Sequence, residues 1–154
     1  VMYKKKFSKD KFKIFHPGGN IGNSLMLAKD IMVTGKKMPI ISYKKNLKQA
    51  IKIMSQKKLG VVVVLRNKFI EGLVTDGDLR RELKNYSHGG NLNKFMTRKP
   101  LVVNENLLAA KALAVMNEKK ITSLLVVSDK DYIKKKKILR GIIHIHFLLQ
   151  NGIN

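Results

Sequence analysis

Thr75, Asp76, Asp78, Arg80 and Arg81 fall within the segment Thr75-Asp76-Gly77-Asp78-Leu79-Arg80-Arg81. A hydroxyl, two carboxylates and two guanidinium groups thus gather around one flexible glycine. The run Ile70-Glu71-Gly72-Leu73-Val74 before them predicts a strand that ends at this polar turn and becomes a helix. A helix N-terminus has unpaired N–H groups and a partial positive charge, so anions settle there readily. Carboxylates at the same place can cap the helix or accept hydrogen bonds from ribose hydroxyls. Two readings follow: a well-capped turn, or a site for a phosphorylated sugar.

The elements that must position this junction are legible upstream. Ile31-Met32 precedes a short loop, and Pro39-Ile40-Ile41 predicts a brief strand. Asn46 caps a predicted helix whose apolar residues Leu47, Ala50, Ile51 and Met54 fall at helical spacing, giving one buried face. Leu59-Gly60 ends it. Val61-Val62-Val63-Val64-Leu65 is an apolar, β-branched strand, residues 66–68 turn, and residues 69–74 return as a second strand. The helix from Asp76–Asp78 runs to about Leu83, and His88-Gly89-Gly90-Asn91 links onward.

The second half repeats this order. Phe95-Met96 corresponds to Ile31-Met32, and Leu101-Val102-Val103 to Pro39-Ile40-Ile41. Ala109, Ala112, Leu113 and Met116 stand 62 positions after Leu47, Ala50, Ile51 and Met54, and Ser123-Leu124-Leu125-Val126-Val127 follows residues 61–65 at the same offset. Gly141-Ile142-Ile143-His144 follows Gly72-Leu73-Val74-Thr75 at an offset of 69, so seven extra residues lie in the intervening turn, between Asp129 and Lys137. The Lys134 to Lys137 run there reads as a solvated loop tip. Two β-α-β-β-α units of an α/β (α+β) fold are the consequence. Residues 30–86 form the first repeat and 87–154 the second, after a distinct lead of 1–29.

Composition narrows the class. The chain has 154 residues, 44% of them hydrophobic, enough for one domain or two small subdomains sharing a core. It has no cysteine, which excludes disulfides and fits a reducing cytoplasm. No apolar run reaches the length of a membrane span, and Val1-Met2-Tyr3-Lys4-Lys5-Lys6 lacks the apolar core of a signal peptide. Opening on Val1 points to a fragment of something longer. The formal charge of +22 invites a nucleic-acid reading, but 27 of the 32 basic residues are Lys, spread from end to end, and aromatics make up 6%. Arg-rich, aromatic-interleaved patches are the better signature of base or phosphate readout, so loose attraction to polyanions at low salt is expected, without specific nucleic-acid binding.

With these residues in view, positions 30–154 resemble a tandem cystathionine-β-synthase (CBS) domain pair, the regulatory unit called a Bateman module. The resemblance is most specific at residues 72–79 and at the apolar strand 61–65. It implies two repeats related by a pseudo-twofold axis, with clefts that often hold adenosine nucleotides. Thr75 and Asp78 match the residues that contact phosphate and ribose, Asp76 and Arg81 flank them, and strand positions such as Ile41 and Val62 would border the base. In the second copy Thr75 is replaced by His144 and Asp78 by Phe147. One competent site on the first repeat and a degenerate one on the second are therefore expected, with Phe147 packing into the core. His144 could donate to an anionic ligand. His144 and His146 have no nearby Cys, Asp or Glu, so no metal site is expected.

The lead narrows the resemblance. Phe12-Lys13-Ile14-Phe15-His16-Pro17-Gly18-Gly19-Asn20, together with Asp30-Ile31-Met32 and the 75–81 junction, resembles D-arabinose-5-phosphate isomerases that join a sugar isomerase (SIS) domain to a CBS pair. In that family the residue matched by His16 is associated with the active site, and the reaction interconverts D-ribulose 5-phosphate and D-arabinose 5-phosphate for Kdo in lipopolysaccharide or capsule synthesis. Aldose–ketose isomerisation needs a base, carbonyl-polarising donors and a phosphate cradle. The lead, about 25 residues, cannot build these, so this chain alone has no expected catalytic residue, and His16 is catalytic only in the parent. Ser8 caps a short helix over 7–12 that His16-Pro17-Gly18 breaks. The implied ligand is an adenosine nucleotide or CMP-Kdo, with no cofactor. The implied partners are the missing SIS domain and a second copy, giving a homodimer through the CBS pairs and a homotetramer in the parent. Ligand-independent assembly is the alternative function, and binding of nucleic acid by the basic surface a remoter one.

Overall fold

A computed structural model describes Gly22 and residues 25–83 and 90–154. The expected helix capped by Ser8, His16, and part of the 88–91 linker lie outside the described residues. Two sheets organise the chain. The first holds β1 (Ile40–Ser42), β2 (Val61–Arg66), β3 (Phe69–Thr75) and β4 (Thr97–Arg98), in that spatial order. The second holds β5 (Val102–Asn104), β6 (Ser123–Val127) and β7 (Gly141–His144). In both, the first strand pairs parallel with the second and the second antiparallel with the third. Helices α1 (Ala28–Ile31), α2 (Leu47–Lys57) and α3 (Asp76–Leu83) precede or alternate with the strands of the first half. Helices α4 (Ala109–Lys119), α5 (Asp129–Ile133) and α6 (Ile145–Gln150) do so in the second.

Local chemistry accounts for these elements. Asn46 accepts the Gln49 N–H at 3.0 Å while the Gln49 side chain accepts the Asn46 N–H at 3.1 Å, a capping box that starts α2 as expected. Leu47, Ala50 and Met54 of α2 are buried, but Ile51 is 37% exposed. The helix turns Ile53 toward the core instead. The insertion between β6 and β7 is more ordered than a loop tip: Ser128 accepts the Asp131 N–H at 3.1 Å and starts the one-turn α5. Lys134 to Lys137 beyond it are exposed.

The apolar strands are buried on both faces, which explains their lack of alternation. Val62, Val64 and Val74 pack with Leu47, Ala50 and Met54 under α2. Val61, Val63 and Ile70 point the other way and meet Leu125, Val127 and Ile142 of the second sheet. The segment before each half is built into the opposite half. Met26, Ala28 and Ile31 pack with Ala112, Leu113, Leu124 and Ile143, and Val33 exchanges backbone bonds of 2.8 and 3.0 Å with Ile142. Leu92, Phe95 and Met96 complete the first core, and β4 pairs with β3. This exchange ties the halves together and puts the 97–101 crossover beside the Thr75 junction.

Candidate functional site

Strand β3 ends at Thr75 and α3 begins at Asp76 without an intervening loop. The Asp78 N–H donates to Thr75 Oγ1 at 3.1 Å, and the Thr75 N–H donates to Asp78 Oδ2 at 2.9 Å. Arg81 donates to Asp78 Oδ1, and Arg80 reaches Asp76 Oδ2 at 3.1 Å one turn back. The Asp76 N–H bonds to the Gly60 carbonyl at 2.9 Å, fixing the helix start to the turn before β2. The Asp78 side chain is only 12% exposed, whereas those of Arg80 and Arg81 stand largely in solvent.

Facing this junction is a cleft of about 490 Å³ between the halves. The first half supplies Leu73, Thr75, Asp76, Gly77 and Arg81. The crossover supplies Thr97, Lys99, Pro100 and Leu101, and the second half the stretch from Lys119 to Ser123 together with Leu125. Basic groups from three segments, Arg81, Lys99 and the Lys119–Lys120 pair, therefore surround a wall of leucine and isoleucine. Such a cleft suits an anionic head on an apolar or planar body: cations and the Thr75 hydroxyl can meet phosphate, and the leucines can pack on a ring.

Among the residues expected from sequence, Thr75, Asp76 and Arg81 line the cleft, while Asp78 stands behind Thr75 and holds it. Val62 is wholly buried in the first core, and Ile41, 4% exposed, packs beside it; neither lines the cleft. His144 is 7% exposed and its Nδ1 accepts the His146 N–H at 3.2 Å, so it caps α6 from inside. Burial first, and then the neighbouring His146, push its imidazole below the ordinary range, with Asp76 pulling the other way. Its ring lies 4.7 Å from that of His146, centroid to centroid. Among the described residues, no group of three His, Cys, Asp or Glu could hold a metal ion.

Sequence reasoning missed Lys99, Lys119, Lys120 and Ser123, which reach the junction only through the crossover and the packing of the halves. A second cleft, of about 690 Å³, occupies the related position in the other half and is lined by Met32, Val33, Lys36, Lys37, Lys57 and Phe147. Phe147 is half-buried: it packs against the second core and also walls this cleft. The aromatic ring offers no acceptor where Asp78 stands in the first half.

The arrangement has clear relatives. The CBS domain family matches residues 28–85 and again 92–146. The arabinose 5-phosphate isomerase KdsD of Yersinia pestis is 37% identical over 154 residues, covering 96% of this chain and 44% of its own length. The chain thus spans less than half the length of the curated relatives it matches. The crystal structure of CBSX2 in complex with AMP superposes with a TM-score of 0.65 at 20% identity, over 80% of this chain and 93% of that one. The CBS domain pair of protein MJ0100, in complex with 5-methylthioadenosine and S-adenosyl-L-methionine, gives 0.70 at 17% identity, over 82% and 94%. At these identities the likeness is one of fold. No helix among the described residues is long and apolar enough to cross a membrane. Two matched repeats, two like sheets and exchanged lead segments lead to one conclusion: the chain belongs to the CBS domain family, as a tandem pair.

Proposed function

We propose that this chain is the regulatory, ligand-sensing CBS pair of a sugar-phosphate isomerase, and that it takes a nucleotide or sugar nucleotide in the Thr75–Arg81 cleft. The observation that carries the reading is the cleft's composition: the Thr75 hydroxyl and four cations around an apolar wall, drawn from both halves. AMP in one structural relative and adenosyl compounds in another support an adenosine ligand. The arabinose 5-phosphate isomerase relative supports the parent reaction, D-ribulose 5-phosphate to D-arabinose 5-phosphate, and makes CMP-Kdo the end-product candidate. A ligand spanning the two halves favours the arrangement it fits, and that preference biases whatever is attached. Catalysis belongs to the parent, with His16 as its contribution from this chain.

Calorimetric titration with AMP, ATP and CMP-Kdo tests the reading. Heat from at least one, lost in a Thr75→Ala variant, supports it; no heat from any leaves a purely structural role. A direct assay for arabinose 5-phosphate formation by this chain should be blank. Assembly without ligand is the second reading, favoured by Ile51 of α2 at 37% exposed and Leu149 of α6 at 50%, apolar groups open to a second copy. Light scattering would then find a dimer whose mass no ligand alters.

A further inference from the structure

Ser123 opens β6 and is 8% exposed, yet its hydroxyl has no hydrogen-bond partner among the described residues. It lines the 490 Å³ cleft with Leu73, Leu101, Ile121 and Leu125, and the hydroxyls of Thr75, Thr97 and Thr122 that share the lining do not bond to it. Strand β5 begins opposite Leu125, so no β5 residue stands opposite Ser123 on that side. Across the sheet its neighbour is His144, whose Nδ1 is committed to the His146 N–H. The related position in the first half is Val61, which is 1% exposed and apolar. The strand therefore needs no hydroxyl here for its own sake. A buried hydroxyl left without a partner is destabilising, and native structures carry few of them.

We propose that Ser123 is a specificity-determining residue of the cleft, its hydroxyl hydrogen-bonding a polar ring edge of the bound nucleobase. The inference rests on the ligand reading of the cleft given above. The charged rim of Arg81, Lys99, Lys119 and Lys120 takes the phosphates, and the ring enters between the leucines with a ring nitrogen or exocyclic group against Ser123. A ring without such an edge leaves the hydroxyl buried and unpaired, and a site built this way rejects it far more strongly than an apolar wall could.

The test titrates the 154-residue chain with AMP, CMP and ribose 5-phosphate, alongside Ser123→Ala and Ser123→Thr variants. Ser123→Ala should weaken the nucleotide that the unaltered chain binds by about tenfold and leave ribose 5-phosphate unchanged, while Ser123→Thr keeps most of the nucleotide affinity. Without ligand, the thermal midpoint of Ser123→Ala should equal or exceed that of the unaltered chain, since no bond within the fold is lost. Equal nucleotide affinity in Ser123→Ala, equal weakening of ribose 5-phosphate, or a lowered ligand-free midpoint each overturns the assignment. If the unaltered chain binds no nucleotide, the ligand reading of the cleft falls as well; if it binds one and Ser123→Ala binds it equally, only the role of Ser123 falls.

Discussion

Thr75 and Asp78 hold each other by two hydrogen bonds, the Asp78 N–H donating to the Thr75 hydroxyl at 3.1 Å and the Thr75 N–H to the Asp78 carboxylate at 2.9 Å. These two bonds fasten the start of α3 and leave the Thr75 side chain at the edge of the cleft. The related pair in the other half, His144 and Phe147, keeps only a one-way cap, from the His146 N–H to the imidazole. Under the proposed function, the contacts that start α3 and those offered to the ligand would share one pair of residues.

Replacing Asp78 by Ala should cost about 1 kcal/mol of stability through the lost cap, read as a shifted urea midpoint. It should also abolish nucleotide binding, because Thr75 loses the bond that orients it. Asp78→Asn keeps an acceptor for the Thr75 N–H and should recover most of the stability. The pairing with Arg81, whose side chain stands largely in solvent, contributes little to the stability change.

The glycines before the two junctions should respond differently to a methyl group. A Cβ on Gly72 would meet Met96 Sδ at 2.6 Å and the Thr97 carbonyl at 2.9 Å, whereas on Gly141 the near atoms all belong to the Met32 side chain. Each Gly→Ala substitution should destabilise by about 1–3 kcal/mol through overpacking. Adding Met32→Ala should relieve much of the strain at Gly141. Adding Met96→Ala should relieve less at Gly72, because backbone remains in the way. Chemical denaturation of the single and double variants measures the contrast.

His144 gives the fold a pH dependence with a definite sign. Burial and His146 hold its folded-state pKa below the unfolded value of 6.5, so the unfolded chain takes up the proton first as pH falls. Its contribution to stability is full above about pH 6.5 and is lost as pH drops from there toward the folded pKa. Denaturation midpoints measured from about pH 7.5 down to about pH 5 should fall in the unaltered chain. In His144→Asn, which can still cap α6, they should fall less.

Lys99 sits at φ 58 immediately before Pro100 and lines the cleft. A left-handed conformation costs a side chain roughly 1–2 kcal/mol, and the related position in the first half is Gly35, at φ 61. Lys99→Gly should therefore stabilise the chain by about 0.5 kcal/mol after the greater freedom of glycine in the unfolded state is counted. The same variant should bind nucleotide more weakly, and the loss should shrink as salt rises. Greater stability with weaker binding is the expected pair of outcomes, from thermal melts and calorimetry.

Much of this protein was written in local sequence. The 62-residue offset between the halves, the Asn46 cap and the unbroken apolar strands defined the repeats, because propensity, capping and two-sided burial act over a few residues. The reciprocal cap at Thr75 and Asp78 belongs to the same category, as its spacing is that of one helical turn. Long-range packing decided the rest. It sent Ile51 outward and Ile53 inward, and withdrew His144, Val62 and Ile41 from the cleft. It carried each lead segment onto the opposite half, and so brought Lys99, Lys119, Lys120 and Ser123 to the Thr75 junction. Side chains about 20 to 50 positions apart meet only when two sheets share a core, and no local periodicity records that meeting.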